Sequence, residues 1–267
     1  MSFDLATHDH AFRSISLSDL QSRAPAAFAQ HAASVTGPAY SFISTAELVR
    51  ALLDAGFVLS AARQSGVRRR DPQFARHIVR LRQARESLTL VDAVPEIVLV
   101  NSHDGTSSYT LHAGLYRPVC SNGLLTRSAD VGFVRLAHRK IQVADVVRGA
   151  LELAGRFANM RQTCEAMAAH QLSLEERRFF AAQALRLRYD GQAPIEPDRL
   201  LGVRRAADEG SDLWRIYNRV QENLLRGGLP GRSQSGREVR TRAIQAIRED
   251  VRINLGLWQL ATSLISS

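Results

Sequence analysis

Several residue types are scarce in this chain of 267 residues, and each scarcity argues against a class of protein. The two cysteines, Cys120 and Cys164, form neither a disulfide framework nor a CxxC metal pair, which is typical of a cytoplasmic protein with free thiols. Aromatic residues make up only 6%, so base stacking would depend on a few rings such as Tyr40, Tyr116 and Phe133. No phosphate-binding GxxxxGKS/T loop is present, which excludes ATP use through that motif.

Long apolar stretches are also missing. No segment contains about 18 consecutive uncharged apolar residues, so we expect no membrane-spanning helix and no membrane partner. Residues 1–12 include Asp4 and Asp9 and no apolar run, and therefore lack the pattern of a signal peptide. A hydrophobic content of 45% nevertheless allows a large core, which argues against a disordered chain. These features predict a globular cytoplasmic protein.

Positive charge is in excess over negative charge. The chain has 35 Lys and Arg residues against 26 Asp and Glu, a formal net charge of +9, and Lys140 is its single lysine. Such an excess favours a polyanionic partner, nucleic acid before a membrane surface. Guanidinium groups form paired hydrogen bonds with phosphate, although a GC-rich genome produces the same preference for arginine. Charge therefore indicates a class of partner and not an activity.

Residues 95–125 contain the densest set of polar and reactive side chains in the chain. Residues 97–100 form a short apolar run typical of a buried strand, and residues 109–115 alternate as a half-buried strand does. Between them, the NSHDG sequence at 101–105 predicts an exposed tight turn shaped by its own Asn, His and Asp side chains. Gly105 is expected there at a positive φ. We therefore expect a central β-hairpin.

Periodicity, capping residues and turn residues predict the remaining elements. Helices are expected at residues 44–54, 142–170, 173–189, 197–202, from 212 to about 226 and from about 237 to 264. Strands are expected at 57–62, 75–83, 97–100, 109–115 and within 131–140, with a helix as the alternative for 75–83, and a flexible glycine-rich loop at 227–231. Strands thus precede helices, which predicts an α+β fold with a small antiparallel sheet followed by a mainly helical C-terminal half. Three regions are predicted: an N-terminal arm over 1–39, an α+β core with the sheet and a long helix over 40–170, and a helical C-terminal region over 171–267.

Four side chains that could bind a metal lie within 18 residues: His103, Asp104, His112 and Cys120. Their spacing matches no compact zinc finger, and Cys120 with His112 lacks a third group that would orient a catalytic base. Asp92, Glu96 and Asp104 are an alternative set that could bind magnesium in a nuclease. We predict no catalytic residue, no metal ligand and no cofactor, and keep a metal-dependent nuclease centred on the NSHDG turn as an alternative.

Arginines recur where loops and element faces would expose them. Residues 226–252 carry seven arginines against three acidic residues, and a groove lined by them would follow a phosphate backbone. Arg237 and Arg240 are expected on the outer face of the last helix, and Arg80 and Arg82 in a basic stripe on one strand face. The residues predicted to contact nucleic acid are Arg68, Arg69, Arg70, Arg80, Arg82, Arg226, Arg232, Arg237, Arg240 and Arg242.

Three parts of the chain carry a family resemblance. They are YSFISTAELVRALLDAGF at residues 40–57, NSHDG and then GLYRPVCSNGLL within 101–125, and LWRIYNRVQENLLRGGLPGR at 213–232. These stretches resemble the plasmid- and phage-borne family called domain of unknown function 932, over roughly residues 40–262. The resemblance implies residence on a mobile genetic element and assigns no catalytic residue.

The order of the predicted elements also resembles the core of single-strand annealing proteins of the Rad and phage Red-beta type. We therefore expect a nucleic-acid-binding protein of plasmid or phage origin that prefers single-stranded DNA and forms a homo-oligomer, with strand annealing and recombination as the implied role. Two alternatives belong to other classes. One is the metal-dependent nuclease, which would cut DNA, and the other is an interaction protein that inhibits host defence through a host protein partner.

Overall fold

The computed structural model describes residues 14–66, 71–84, 91–117 and 133–266, together with the backbone of residues 123–125. The α-helices are α1 (Leu17–Arg23), α2 (Thr45–Asp54), α3 (Val143–Ala154), α4 (Phe157–Ala169), α5 (Leu174–Arg188), α6 (Leu213–Arg226) and α7 (Ile247–Ile265). The strands are β1 (Phe57–Gln64), β2 (His77–Gln83), β3 (Val94–Asn101), β4 (Tyr109–Tyr116), β5 (Gly123–Leu125), β6 (Phe133–Leu136), β7 (Pro230–Arg232) and β8 (Glu238–Arg240). Short 3₁₀ turns occupy Pro25–Phe28, Pro72–Phe74, Pro197–Leu201 and Ala206–Asp208.

The first six strands form one antiparallel sheet in the order β1, β2, β3, β4, β5, and β6 also pairs with β4. The two ends of β4 have different neighbours, since Tyr109–His112 pairs with β6 and Gly114–Tyr116 pairs with β5. The predicted central hairpin is β3–β4, in which Leu99 lies opposite Leu111. Sheet first and helices afterwards confirm the predicted α+β class.

Both faces of the sheet carry buried side chains. Successive side chains of a strand point to opposite sides, so neighbouring residues belong to different packing layers. Val79 and Leu99 are fully buried on the side that faces α2, α3 and the other helices. The opposite side carries Ile78 and Val98, which pack with Ile247 at the start of α7 in a smaller buried cluster. The first turns of α7 thus cover one part of the second face.

Helix α6 is the centre of the helical half. Asp212 Oδ1 accepts the backbone N–H of Arg215 at 3.0 Å, as the predicted N-cap requires. Twelve of the 14 residues of α6 are buried, so the helix is enclosed on all sides and not only along its apolar stripe. Several of its buried side-chain amides donate hydrogen bonds in the interior, for example Asn223 Nδ2 to the carbonyl oxygens of Leu200 and Gly202 at 2.9 and 2.8 Å. Polar side chains can therefore occupy this interior position.

Two predicted helices have different bounds from those expected. The single helix over 142–170 is wrong, since α3 and α4 are separate and Gly155 follows the last residue of α3. Glycine costs about 1 kcal/mol relative to alanine inside a helix, which favours an end at this position. The last helix begins at Ile247 and not near residue 237, because residues 230–240 form the β7–β8 hairpin. The predicted flexible loop at 227–231 therefore runs into a strand.

The segment before α2 packs against the sheet in its described part. Leu20 and Ala27 are fully buried, and the backbone N–H of Ile15 donates to Leu59 O at 2.8 Å. One connected cluster of buried side chains extends from Leu20 in this segment to Ala261 in α7. The predicted region boundaries after residues 39 and 170 stay predictions. None of the helices within the described ranges has the length and apolar character needed to cross a membrane.

Candidate functional site

The NSHDG turn is buried in its first half and exposed in its second. Asn101 and His103 have no exposed surface, so the expectation that residues 101–105 are exposed is wrong for the start of the turn. Asp104 builds the turn as predicted, because its Oδ1 accepts from the Ser102 hydroxyl at 2.7 Å and from the Thr106 backbone at 3.0 Å. Gly105 has a φ of +77°, the left-handed conformation predicted for it.

We expect Gly105→Val to lower the free energy of unfolding by about 1 to 2 kcal/mol, because a left-handed conformation is costly for a residue with a Cβ. The added Cβ would lie 3.5 Å from Thr36 Cγ2, an ordinary contact, so the cost comes from the backbone. Urea unfolding measures it. Gly37→Val is the matched control, since a Cβ there has nothing within 4 Å and Gly37 has no positive φ. Equal stabilities of the two variants would contradict the assigned role of Gly105.

The buried half of the turn belongs to a polar network centred on the Thr45 hydroxyl. Thr45 is fully buried at the start of α2, and its Oγ1 lies 2.8 Å from His77 Nε2, 3.0 Å from Asn101 Nδ2 and 3.3 Å from His103 Nε2. Asn101 Oδ1 in turn lies 3.1 Å from His138 Nε2. The network joins α2, β2, the turn and the segment after β6 by hydrogen bonds in the interior.

Counting donors and acceptors fixes the tautomers of the histidines in this network. His77 Nδ1 donates to Ala75 O at 2.9 Å, so its Nε2 accepts the Thr45 hydroxyl hydrogen. Thr45 Oγ1 then accepts from Asn101 and from His103, whose Nε2 carries the hydrogen. Neutral rings satisfy this arrangement. Burial lowers the pKa of His77 to about 4, and burial with repulsion from His77 and His138 lowers the pKa of His103 to about 3.

The acidic and histidine residues considered for a metal are separated in the fold. Within the described ranges, no group of three or more His, Cys, Asp or Glu side chains is arranged to hold a metal ion. His112 lies on the other face of β4 from the Thr45 network, with its ring 5.9 Å from that of Phe133. Cys120 lies outside the described residues. Cys164 is buried in the core, where burial raises the pKa of its thiol. The geometry therefore does not favour the nuclease alternative.

A second buried network, centred on Arg117, connects the end of β4 with the helical half. The Arg117 guanidinium is 1% exposed and binds Asp92, with Nε 2.9 Å from Oδ2, and Asp208 at 2.8 Å. Trp214 Nε1 donates to the other oxygen of Asp92 at 2.8 Å. Asp92 is thus engaged by Arg117 and Trp214, and this arrangement does not support the alternative in which Asp92 binds magnesium.

Arg80 and Arg82 lie on one strand face as predicted, but they are not a solvated stripe. Both face Glu96, which is fully buried: Arg80 forms an ion pair with it, and Arg82 Nε lies 3.7 Å from its Oε2. The two arginine side chains are only 12% and 6% exposed. Their charge balances a buried carboxylate, so the prediction of a basic surface stripe is wrong here. Arg68, Arg69 and Arg70 lie outside the described residues.

A cleft of about 360 Å³ lies where β1 and β2 face residues 225–250. Arg63, Arg80 and Arg226 line it together with Tyr116. Arg63 forms an ion pair with Asp250 and donates Nη1 to the Gln245 carbonyl oxygen at 3.1 Å. Arg226 Nη1 lies 3.2 Å from Glu222 Oε1, which also accepts from Arg205 at 2.9 Å. The cleft is therefore lined by two of the arginines predicted to bind nucleic acid, Arg80 and Arg226. We call it the arginine cleft.

Four more of these arginines are exposed on or beside the β7–β8 hairpin: Arg232, Arg237, Arg240 and Arg242. The register places Arg232 opposite Glu238 and Arg240 opposite Pro230, so these side chains share one side of the hairpin. The predicted position of Arg237 and Arg240 on a helix face is wrong, because residues 238–240 form strand β8. The hairpin is held against the body of the protein by the bond from Arg232 N to Pro194 O at 2.7 Å.

Sequence reasoning missed Arg63 and the partners of the cleft arginines. The i, i+4 spacing of Glu222 and Arg226 was a visible signal of an ion pair on one helix. No local signal could pair Arg63 with Asp250, which is 187 residues away in the chain. Tyr116 was one of the few rings considered for stacking, and the structure places it in the arginine cleft.

Comparisons with known proteins agree with one another. The family model described as Domain of unknown function (DUF932) matches residues 32–258. UPF0380 protein YafZ of Escherichia coli (strain K12) is 38% identical over 246 residues, and UPF0380 protein YfjQ of the same organism is 37% identical over 246. Each alignment covers 91% of this chain and 88% of the relative. No solved structure matches the chain. The chain therefore belongs to the DUF932 family.

Proposed function

We propose that this protein binds single-stranded nucleic acid through the exposed arginines of the β7–β8 hairpin. The observation that carries the proposal is the concentration of Arg232, Arg237, Arg240 and Arg242 on one short hairpin, where Glu238 is the single acidic residue between positions 230 and 242. Phosphate groups bind guanidinium in paired hydrogen bonds, and release of condensed counterions adds to the affinity.

The shape of the surface favours a flexible strand over a duplex. A groove between the hairpin and residues 194–199 is lined by Arg199, Arg232 and Arg240, with Glu196 and Glu238 beside them. Helix α7 exposes Arg248 and Arg252 on adjacent turns, but Arg252 is paired with Glu249, so this face does not present a row of arginines for a DNA major groove. Backbone tracking needs only spaced positive groups, and a single strand can bend to meet them. Strand annealing by an oligomer and residence on a plasmid or phage stay predictions from resemblance.

Replacing Arg232, Arg237, Arg240 and Arg242 together by Gln should weaken binding of a 20-nucleotide single strand at least tenfold. Each lost phosphate contact should also flatten the slope of log affinity against log salt by about 0.7. Arg226 is kept, because it lies in the arginine cleft and not among the exposed arginines of the hairpin. Salt-titrated fluorescence anisotropy measures both quantities, with an unfolding curve to show that the variant is folded.

A charge-matched control separates the hairpin from the overall charge of the protein. The control variant replaces four exposed cationic residues outside the hairpin by Gln and so also removes four positive charges. They are Arg23 on α1, Arg50 on α2, Lys140 before α3 and Arg148 on α3. We expect the control variant to keep most of its affinity. Equal losses in the two variants would contradict a hairpin site. Absence of nucleic-acid binding by the parent protein at low salt would contradict the proposed function and favour the interaction-protein alternative.

A further inference from the structure

We propose that the arginine cleft takes one nucleotide of the bound strand, with the base against Tyr116 and its phosphate on Arg63 and Arg226. This inference rests on the proposed function and adds a binding site for one base of the strand. The volume of about 360 Å³ falls in the range of about 300 to 1,000 Å³ that is usual for small-molecule sites. A single nucleotide is therefore of a suitable size.

The cleft lies at the base of the arginine-bearing hairpin. Helix α6 ends at Arg226, and the chain then enters β7 and returns from β8 through residues 241–245. Backbone bonds join these two segments below the hairpin, from Gly228 N to Thr241 O at 2.7 Å and from Ile244 N to Leu225 O at 2.8 Å. Leu225 and Ile244 themselves line the cleft. A strand that follows the hairpin arginines toward the body of the protein thus arrives at the cleft.

Tyr116 supplies an aromatic ring in a fixed position. The Arg82 guanidinium carbon lies 4.1 Å from the centroid of the Tyr116 ring, and Arg82 is itself buried beside Glu96. This cation–π contact restrains the ring before any ligand arrives. Ile78 and Ile244 add apolar surface to the lining. Every nucleobase has flat apolar faces that can stack on such a ring, so this contact does not depend on which base is present.

The carboxylate that pairs with Arg226 is shared with a second arginine, which allows Arg226 to turn to a phosphate. Glu222 Oε1 accepts from both Arg205 and Arg226, so Glu222 keeps one cationic partner when Arg226 moves toward a ligand. Arg63 has a side chain that is 39% exposed and is within reach of an entering group. Asp250, the acidic residue in the described lining of the cleft, repels a dianionic terminal phosphate more strongly than the single charge of an internal phosphodiester. The site accordingly fits a nucleotide within a strand.

The test compares two probes of equal length and charge, dT20 and a 20-unit abasic strand with the same phosphates. The parent protein should bind dT20 about five- to 150-fold more tightly, because stacking of one base contributes about 1 to 3 kcal/mol. Tyr116→Leu should reduce this ratio about tenfold, mainly by weakening dT20 binding. Tyr116→Phe keeps the ring and should preserve the ratio. Ala243 is an exposed residue of the cleft lining, and Ala243→Leu should also lower the ratio because the larger side chain occupies space in the cleft.

The outcomes separate this inference from the proposed function. A parent protein that binds both probes equally would overturn the cleft site and leave the hairpin site standing. A folded Tyr116→Leu variant that keeps the full preference for dT20 would also overturn it. If Tyr116→Leu does not fold, Ala243→Leu decides, and an unchanged ratio in that variant overturns the cleft site. A parent protein that binds neither probe would overturn both proposals.

Discussion

Arg117→Met is expected to lower the free energy of unfolding by about 3 to 5 kcal/mol, the range found when one partner of a buried ion pair is removed. Methionine fills a similar volume and removes the charge. Asp208, whose side chain is 2% exposed, would then be left in the interior without its guanidinium partner. Asp92 would keep the bond from Trp214 but lose the arginine. Urea unfolding at neutral pH measures the change.

The control is an exposed pair of the same two residue types. Arg178 Nε lies 3.0 Å from Asp198 Oδ1, and the two side chains are 54% and 55% exposed. Arg178→Met should cost no more than about 1 kcal/mol, since water replaces the lost interaction. Similar costs for the two variants would show that the Arg117 network does not hold the sheet to α6. A variant that is unfolded at zero denaturant would agree with the larger cost, and Arg117→Lys, which keeps a charge, should then restore folding in part.

Local sequence patterns predict those helices and strands whose conformation depends on side chains close by in the sequence. In α5, Ser173 and Glu176 form the predicted capping box, with Ser173 N bonded to Glu176 Oε2 at 2.7 Å. The alternation in residues 109–115 likewise predicts β4, because one face of the strand is fully apolar. By contrast, the sequence predicts a last helix from about residue 237, whereas residues 238–240 form β8. Its partner β7 is also bonded to a distant segment, through Arg232 N and Pro194 O.

The polar residues of the site could not be placed from the sequence, because distant partners decide their burial. His103 resembles an exposed turn residue until Thr45, 58 positions earlier, provides its hydrogen-bond partner. Arg80 resembles a surface arginine in the sequence. In the fold it pairs with the buried Glu96, which follows 16 positions later. Charge counting identified a basic chain and a basic C-terminal segment. It could not separate arginines that neutralise buried carboxylates from those exposed on the β7–β8 hairpin.

The Thr45 network should make the protein much less stable in mild acid. A histidine with a pKa of 6.5 in the unfolded chain and about 4 or about 3 in the folded protein binds its proton preferentially when unfolded. Stability therefore rises with pH between those values and is lost as pH falls below about 6.5. From pH 7 to pH 5, His77 and His103 together should remove about 3 to 4 kcal/mol from the free energy of unfolding. His138, whose pKa is also lowered by burial, acts in the same direction.

Two measurements test this acid sensitivity independently. Urea unfolding at pH 7, 6 and 5 should show a steadily falling midpoint, and carboxylates contribute little over this range because they titrate at lower pH. NMR titration of the folded protein gives a direct reading: between pH 7 and 5 the ring resonances of His77 and His103 should move by no more than about a tenth of their full titration shift, because pH 5 lies about one unit above the higher of the two pKa values. Titration of either ring near pH 6.5 in the folded protein would contradict the neutral network. Thr45→Val, which removes the shared hydroxyl and keeps the side-chain shape, should leave Asn101 and His103 without their buried partner and lower stability at pH 7 as well.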